Sequence, residues 1–236
     1  MLTLAIETSC SVGGLALFEN DACLAERRLH LGQQHGQSLL PEISRLLNDF
    51  SRSPKDCQLL AVSVGPGSFT GLRVGVVCAK TLAYATGCRI VAVDTHQAIA
   101  ENAPAEMSHV HVVSEAQRGD VLVSRYRRKL GHFEIESPLE FLPGDAWLAG
   151  LGAGDVATGP GLAKLVQTAQ TGPVRLGGEL WLPQGSVVGR LGIALARGER
   201  FSDPWALEPL YLRRSSAEEK WELRRRNTLP EGDQHS

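Results

Sequence analysis

Leu2, Leu4 and Ile6 alternate with Thr3, Ala5 and Glu7 at the start of the chain, the two-residue period of a half-buried strand. Gly13 and Gly14 break the run before a second apolar stretch at 15–18, and Asn20-Asp21 signals a turn into a third strand over 22–29. The period then changes. Leu39, Leu40, Ile43, Leu46, Leu47 and Phe50 recur at helical spacing and make one face apolar, while Pro41 is tolerated in the first turn. A short apolar run over 59–64, bounded by Gly65-Pro66-Gly67, predicts a buried strand. Helix is predicted over 70–86 with Gly87 as its stop, then a strand over 89–93 and a helix over 95–102 closed before Pro104.

The order β-β-β-α-β-α-β-α is a meander followed by crossover units, the layout of the ribonuclease-H-like fold. The rest of the chain repeats it faintly. Strands are predicted over 110–113, 121–126, 133–135 and 153–157, with helices over 145–151, 161–169 and 187–197. Two such halves facing across a cleft make an α/β protein of the actin, sugar-kinase and chaperone-ATPase superfamily. The boundary is expected near 103–108, giving domains over 1–104 and 105–213 and a polar tail over 214–236.

Composition narrows the function. The 24 Lys and Arg against 26 Asp and Glu leave a formal charge of −2, which excludes binding to nucleic acid or anionic membrane by bulk charge, though not by a local patch. Five scattered cysteines without a Cys-x-x-Cys pair make neither a disulfide framework nor a zinc ribbon. The first basic residue is Arg27, and the longest apolar stretch, over 74–93, is interrupted by Lys80 and Arg89. A signal peptide and a membrane span are therefore not expected, and the chain reads as soluble and cytoplasmic.

The most distinctive segment is Gly65-Pro66-Gly67-Ser68-Phe69-Thr70-Gly71-Leu72-Arg73-Val74-Gly75, placed between a predicted strand and a predicted helix. Its glycines permit positive φ, and N–H groups at a helix start attract anions. No Gly-Lys-Ser/Thr follows, so it is not a Walker A loop, and a tight turn capped by Ser68 or Thr70 explains it equally. Gly71, Gly75, Ala79 and Ala83 then form a small-residue stripe. It admits a closely packed neighbour from either the same chain or another subunit. Glu7-Thr8-Ser9 ends the first strand where nucleotide-using members of the superfamily carry an Asp-x-Gly; here the glycine is missing. The matching turn in the second half is expected within 115–120. Gly159-Pro160-Gly161 and Gly177-Gly178 match an adenosine-binding signature only weakly. There is no His-Glu-x-x-His and no His-x-x-x-His; His109 and His111 share one strand face and His35 starts a helix, so no metal is expected. The stretch 213–226 carries six basic residues against three acidic ones, which suits either a solvated tail or an acidic partner such as RNA.

These residues carry a resemblance. The Leu4-Ala5-Ile6-Glu7-Thr8-Ser9 opening, the segment 35–43 with Ser38-Leu39-Leu40-Pro41, the segment 65–75 and Glu208-Pro209-Leu210-Tyr211-Leu212-Arg213 together resemble the TsaB family of threonylcarbamoyladenosine-biosynthesis proteins, once called glycoprotease-like. Two departures are Glu7, where the family usually has Asp, and 115–120, which replaces an Asp-Ala-Arg-x-x-Glu-like stretch. The resemblance implies a scaffold without catalytic residues that pairs with a catalytic paralogue, TsaD, and an ATPase, TsaE, to modify the adenosine beside the anticodon of tRNAs reading ANN codons. It implies a homodimer when the chain is alone. It also implies no cofactor in the isolated chain, with room for a nucleotide in the complex. The family's dimerising surface is formed by the first two helices, here about 36–50 and 70–86. The corresponding interface positions are Leu39, Ile43, Leu46, Leu72, Gly75, Ala79 and Ala83. The competing readings are an ATP-dependent kinase or acyltransferase working through a cleft at Glu7, and a metallopeptidase, which the missing ligand spacing leaves unsupported.

Overall fold

The computed structural model describes residues 1–30, 35–116, 119–165 and 173–210. Strands β1 (Leu2–Glu7), β2 (Val12–Glu19) and β3 (Ala22–His30) form an antiparallel meander. Helix α1 (His35–Asn48) leads to β4 (Leu59–Gly65), which pairs parallel with β1. Helix α2 (Phe69–Thr86), strand β5 (Arg89–Asp94) and helix α3 (Thr95–Ala100) complete a sheet of order β3-β2-β1-β4-β5. The pattern recurs with β6 (His109–Glu115), β7 (Asp120–Lys129), β8 (His132–Pro143), α4 (Gly144–Ala149), β9 (Val156–Thr158), α5 (Leu162–Leu165) and β10 (Val174–Arg175). Its order, β10-β9-β6-β7-β8, places meander and crossovers as in the first sheet. The fold is α/β with two ribonuclease-H-like halves.

Alternation along the strands separates two cores. Leu4, Ile6, Leu15, Leu17, Leu60 and Val62 face the apolar sides of α1 and α2, where Leu39, Ile43, Leu46, Val76, Ala79 and Ala83 meet them. Ala5, Ala16, Phe18, Ala61 and Val91 point the other way. They are covered by the last described helix, α6 (Gly185–Arg197), through Val187, Val188, Leu191 and Ile193. By sequence α6 falls in the 105–213 segment, yet it packs on the first sheet, because that sheet is apolar on both faces. Gly189 and Gly192 allow the approach: a Cβ there would lie 2.2 Å from Phe18 and 2.3 Å from Ala61. Ser186 N–H donates to Glu26 Oε1 at 2.9 Å and satisfies one exposed donor at the start of α6.

Some elements differ from the sequence expectations. Strand β8 runs over His132–Pro143, far beyond 133–135. It is an edge strand rich in exposed polar residues, with register shifts against β7. Pairing, not apolar alternation, defines it. Strand β10 has only two residues and no periodicity to read. Helix α5 covers Leu162–Leu165, and the rest of its expected length, like the tail over 214–236, falls outside the described residues.

Candidate functional site

The sequence motifs converge where β1 and β4 end. Glu7, Thr8 and Ser63 have no solvent exposure, and Ser9 has almost none. Glu7 Oε1 accepts from the Ser9 backbone N–H and the Ser9 hydroxyl, both at 2.5 Å. Among the described residues, Glu7 Oε2, Thr8 Oγ1 and Ser63 Oγ have no hydrogen-bond partner. Burial pushes the Glu7 carboxyl pKa up, opposed by the Ser9 bonds and the nearby Ser63 hydroxyl. Protonation suits this place: a proton on Oε2 supplies a donor beside a serine oxygen that lacks one.

The signature segment closes this site. Gly65 turns at φ +119°, and its N–H donates to Thr95 Oγ1 at 3.1 Å. Ser68 N–H donates to Ser9 O at 2.6 Å, and Ser68 Oγ caps α2 by accepting from Gly71 N–H at 3.3 Å. A Cβ on Gly67 would lie 2.6 Å from Ser9 O, one on Gly71 2.0 Å from Thr8 O, and one on Gly75 2.2 Å from Thr8 Oγ1. The small-residue stripe therefore serves the same chain, seating α2 on the end of β1. Arg73 is exposed, with its guanidinium 4.8 Å from the centre of the Phe69 ring. Pro66 is buried, whereas Gly67, Ser68 and Thr70 stay at or near the surface.

The seven expected interface positions lie inside the molecule. Leu39, Ile43, Leu46, Ala79 and Ala83 are buried in the core between α1, α2 and the first sheet. Leu72 and Gly75 are also buried. The resemblance assigned these positions to a partner subunit; here they face the chain's own sheet. The opposite faces carry Leu40, Val77 and Tyr84, all exposed, with Trp205 and Leu210 exposed alongside. Tyr84 and Trp205 meet edge to face at 5.7 Å and border a groove of about 550 Å³ with Lys80, Thr81, Gly87, Cys88 and Pro204. Lys80 holds this strap, donating to the carbonyls of Trp205 at 3.3 Å and Leu207 at 3.0 Å.

Of the acids expected in the 115–120 turn, Asp120 is half-buried at the start of β7, its carbonyl accepting from Ala116 N–H at 3.0 Å. Glu115 is exposed and pairs with Lys164, and residues 117–118 lie outside the described residues. Ser114, at the end of β6, and Ser124 on β7 bind the two nitrogens of His96 at 2.7 and 2.6 Å. This imidazole ties α3 to β6 and β7 of the second sheet with no exposure, and burial pushes its pKa down to about 3. Asp94 beside it accepts from Tyr126 OH at 3.1 Å and from Gln97 N–H at 2.9 Å. The neutral imidazole is bound in the fold while the unfolded chain protonates near pH ~6.5. Stability from His96 is therefore complete above that pH and lost on acidification toward about 3. One proton costs about 1.4 kcal/mol per pH unit in this window. His96→Gln is expected to flatten the fall in urea-unfolding stability between neutrality and pH ~4; an unchanged slope would show that His96 does not carry it.

Gly159-Pro160-Gly161 has a role that spacing did not reveal. Gly159 turns at φ +113°, a Cβ on it would lie 2.3 Å from Val113 O, and Gly161 N–H donates to Val113 O at 3.0 Å. It closes over the end of β6 as Gly65-Pro66-Gly67 closes over the end of β1. The repeated tripeptide after a short strand was the available signal. Gly177 and Gly178 sit at a 3-10 turn between β10 and α6. His109 and His111 do share a face of β6, each 3.6 Å from a carboxylate, Glu136 and Asp155 respectively. Among the described residues no group of three or more His, Cys, Asp or Glu is placed to hold a metal ion. The five thiols are free, three of them buried. No described helix is long and apolar enough to cross a membrane.

Twin meander-and-crossover halves, each sealed by a Gly-Pro-Gly turn, define a two-lobed protein of the ribonuclease-H-like class. Comparison with known proteins shows which proteins the chain is similar to. Residues 30–137 match the family model described as TsaD, tRNA N6-adenosine threonylcarbamoyltransferase. The chain is 36% identical over 138 residues to the tRNA threonylcarbamoyladenosine biosynthesis protein TsaB of Bacillus subtilis, covering 58% of this chain and 60% of that one. With the TsaB of Escherichia coli it shares 31% over 130 residues, 54% of this chain and 56% of the relative. The match thus spans less than two thirds of these curated relatives. The solved structure of YeaZ from Pseudomonas aeruginosa superposes with a TM-score of 0.77 at 25% identity, covering 89% of this chain and 99% of that one. The chain is thus similar to TsaB proteins over the matched segment, and the superposition shows that it shares the fold of YeaZ.

Proposed function

We propose that the chain is a non-catalytic scaffold of the cytoplasmic complex that forms threonylcarbamoyladenosine beside the anticodon of tRNAs reading ANN codons. In this reading it dimerises with the catalytic paralogue TsaD and recruits the ATPase TsaE. The observation that carries it is the sealed Glu7. A carboxyl without solvent exposure, with a raised pKa, beneath the 65–71 turn is poorly placed to orient a metal-bound phosphate. The kinase or acyltransferase alternative, which needs that cleft open, is correspondingly weakened.

The outer faces of α1 and α2 are the proposed partner surface. Leu40, Val77 and Tyr84 would make the contact, while Leu39, Ile43, Leu46, Leu72, Gly75, Ala79 and Ala83 hold the two helices in place from beneath. Exposed aromatic and aliphatic side chains on the outer faces of two helices suit a buried interface. Light scattering of the chain mixed with TsaD from the same source is expected to give a one-to-one heterodimer. Tyr84→Glu, at a position 78% exposed, is expected to weaken that association at least tenfold without loss of thermal stability, since it desolvates a charge at an apolar contact. Full assembly by a folded variant would remove the interface assignment, and turnover of ATP by the isolated chain would favour the enzyme reading.

A further inference from the structure

The chain passes between its two halves twice. It leaves the first sheet through α3 and the stretch leading to β6, and it returns from β10 through 176–184 to α6, which packs on the first sheet. In a two-lobed protein such crossings are where a hinge sits, in a few residues that absorb the rotation. Here side chains hold both crossings.

Helix α3 is shared between the cores. Ala98 is packed with Ala61, Val93 and Val187 of the first, whereas Ile99 and Ala100 are packed with Val110, Val112 and Phe133 of the second. Polar contacts fix the same helix on both sides. Thr95 Oγ1 accepts from Gly65 N–H of the first half. On the second side, His96 meets Ser114 and Ser124, and Asp94 accepts from Tyr126 OH. Gln97 and Glu101 hold the edge strand β8 by its backbone. Phe133 stands opposite Arg128, whose N–H turns away from it to Ser108 O at 2.8 Å, so the backbone groups of Phe133 point off the open edge of the sheet. Gln97 Nε2 donates to Phe133 O at 2.8 Å, and Glu101 Oε1 accepts from Phe133 N–H at 2.7 Å. These two side chains, one helical turn apart, take the place of a neighbouring strand.

The return crossing is tied to the same segment. Asn102 Nδ2 donates to Leu182 O at 2.8 Å, and Thr158 Oγ1 on β9 donates to Leu180 O at 3.2 Å. Rotation of one half against the other would break these bonds together and strand buried polar groups, the His96 ring first among them. We propose that residues 94–102 are a lock that holds the two halves at one angle, so that the two sheets move as a single body. The lock goes beyond the scaffold reading and does not depend on it, since it needs neither a partner nor tRNA. It gives whatever binds the chain one surface of fixed shape, without the ordering cost that a jointed surface carries.

The test is native-state hydrogen exchange of the full chain in low urea, followed by nuclear magnetic resonance. A hinge opens the joint alone, so its protons exchange ahead of those in the sheets and with little dependence on urea. The lock predicts the reverse. The His96 ring N–H and the Phe133 amide are expected to be as well protected as the weaker of strands β1 and β6, with the same urea dependence. Gln97→Ala/Glu101→Ala removes both holds on β8 at half-buried positions outside the apolar cores. It is expected to speed exchange of the His96 ring proton at least tenfold relative to both strands, with a shallower urea dependence. Glu101→Gln keeps the accepting oxygen and is expected to exchange as the wild type does. The proposal is overturned if the wild-type joint protons exchange ahead of both strands, or if the alanine variant keeps the His96 proton in step with them. Should that variant fail to fold, the wild-type profile decides alone. Heterodimer formation, scored separately by light scattering, reports on the scaffold reading: its failure leaves this assay intact.

Discussion

Gly71→Val is expected to cost at least ~3 kcal/mol of stability, or to prevent folding, in urea denaturation followed by circular dichroism. A helix interior ordinarily favours a residue with a side chain over glycine by about 1 kcal/mol. Here the opposite holds because the first added carbon would sit 2.0 Å from the Thr8 carbonyl oxygen. Neither side can rotate away: one is backbone just past the end of β1, the other is fixed to the backbone of α2. Withdrawal of the helix would part its Val76, Ala79 and Ala83 from the core of the first sheet and unseat the turn that covers Glu7. Gly154→Ala is the natural control, since nothing lies within 4 Å of a Cβ there; it should stay within about 0.5 kcal/mol of the wild type. Equal stability of the two variants would mean that α2 is not seated on β1 in this way.

Glu7→Ala should be the next most damaging change, at about 2–4 kcal/mol. It strands the Ser9 N–H and hydroxyl without their acceptor and leaves a cavity. Glu7→Gln separates shape from charge. The amide keeps the oxygen that Ser9 binds and offers a permanent donor toward Ser63. The wild-type carboxyl has a raised folded pKa, so its stabilising contribution is complete below the unfolded value near ~4.3 and drains as pH rises through the folded value. Glu7→Gln should therefore gain on the wild type as pH rises, while the acid-side loss from His96 is common to both and cancels. Parallel stability curves across the whole range would show that Glu7 is not held as the neutral acid.

Glu7 also shows how far the sequence can be read. Its place at the end of β1 was legible because alternation from Leu2 to Ile6 fixes the strand and the following Thr8-Ser9 ends it. That it is sealed was not legible, since the cover comes from 65–71, more than fifty residues away, and depends on distances to Thr8 and Ser9. The helical faces of α1 and α2 teach the same lesson in reverse. Their apolar spacing identified faces that are buried, and the chain's own sheet is what covers them. Periodicity reports that a face is buried, never against what.

By itself, the sequence determined the element order of the first half, the two-halved α/β class, and the 65–75 turn with its strand before and helix after. Each of these is set by contacts between near neighbours: alternation, helical spacing, glycine at positive φ, a serine cap. Only the tertiary structure decided that α6 belongs to the first sheet, that His96 ties α3 to the second sheet through Ser114 and Ser124, and that the outer rather than inner faces of α1 and α2 are exposed. The hold of Gln97 and Glu101 on Phe133 is likewise invisible along the chain, because folding brings together residues more than thirty positions apart. Hydrogen-bond register and packing distance are properties of two segments at once, and a linear pattern records only one of them.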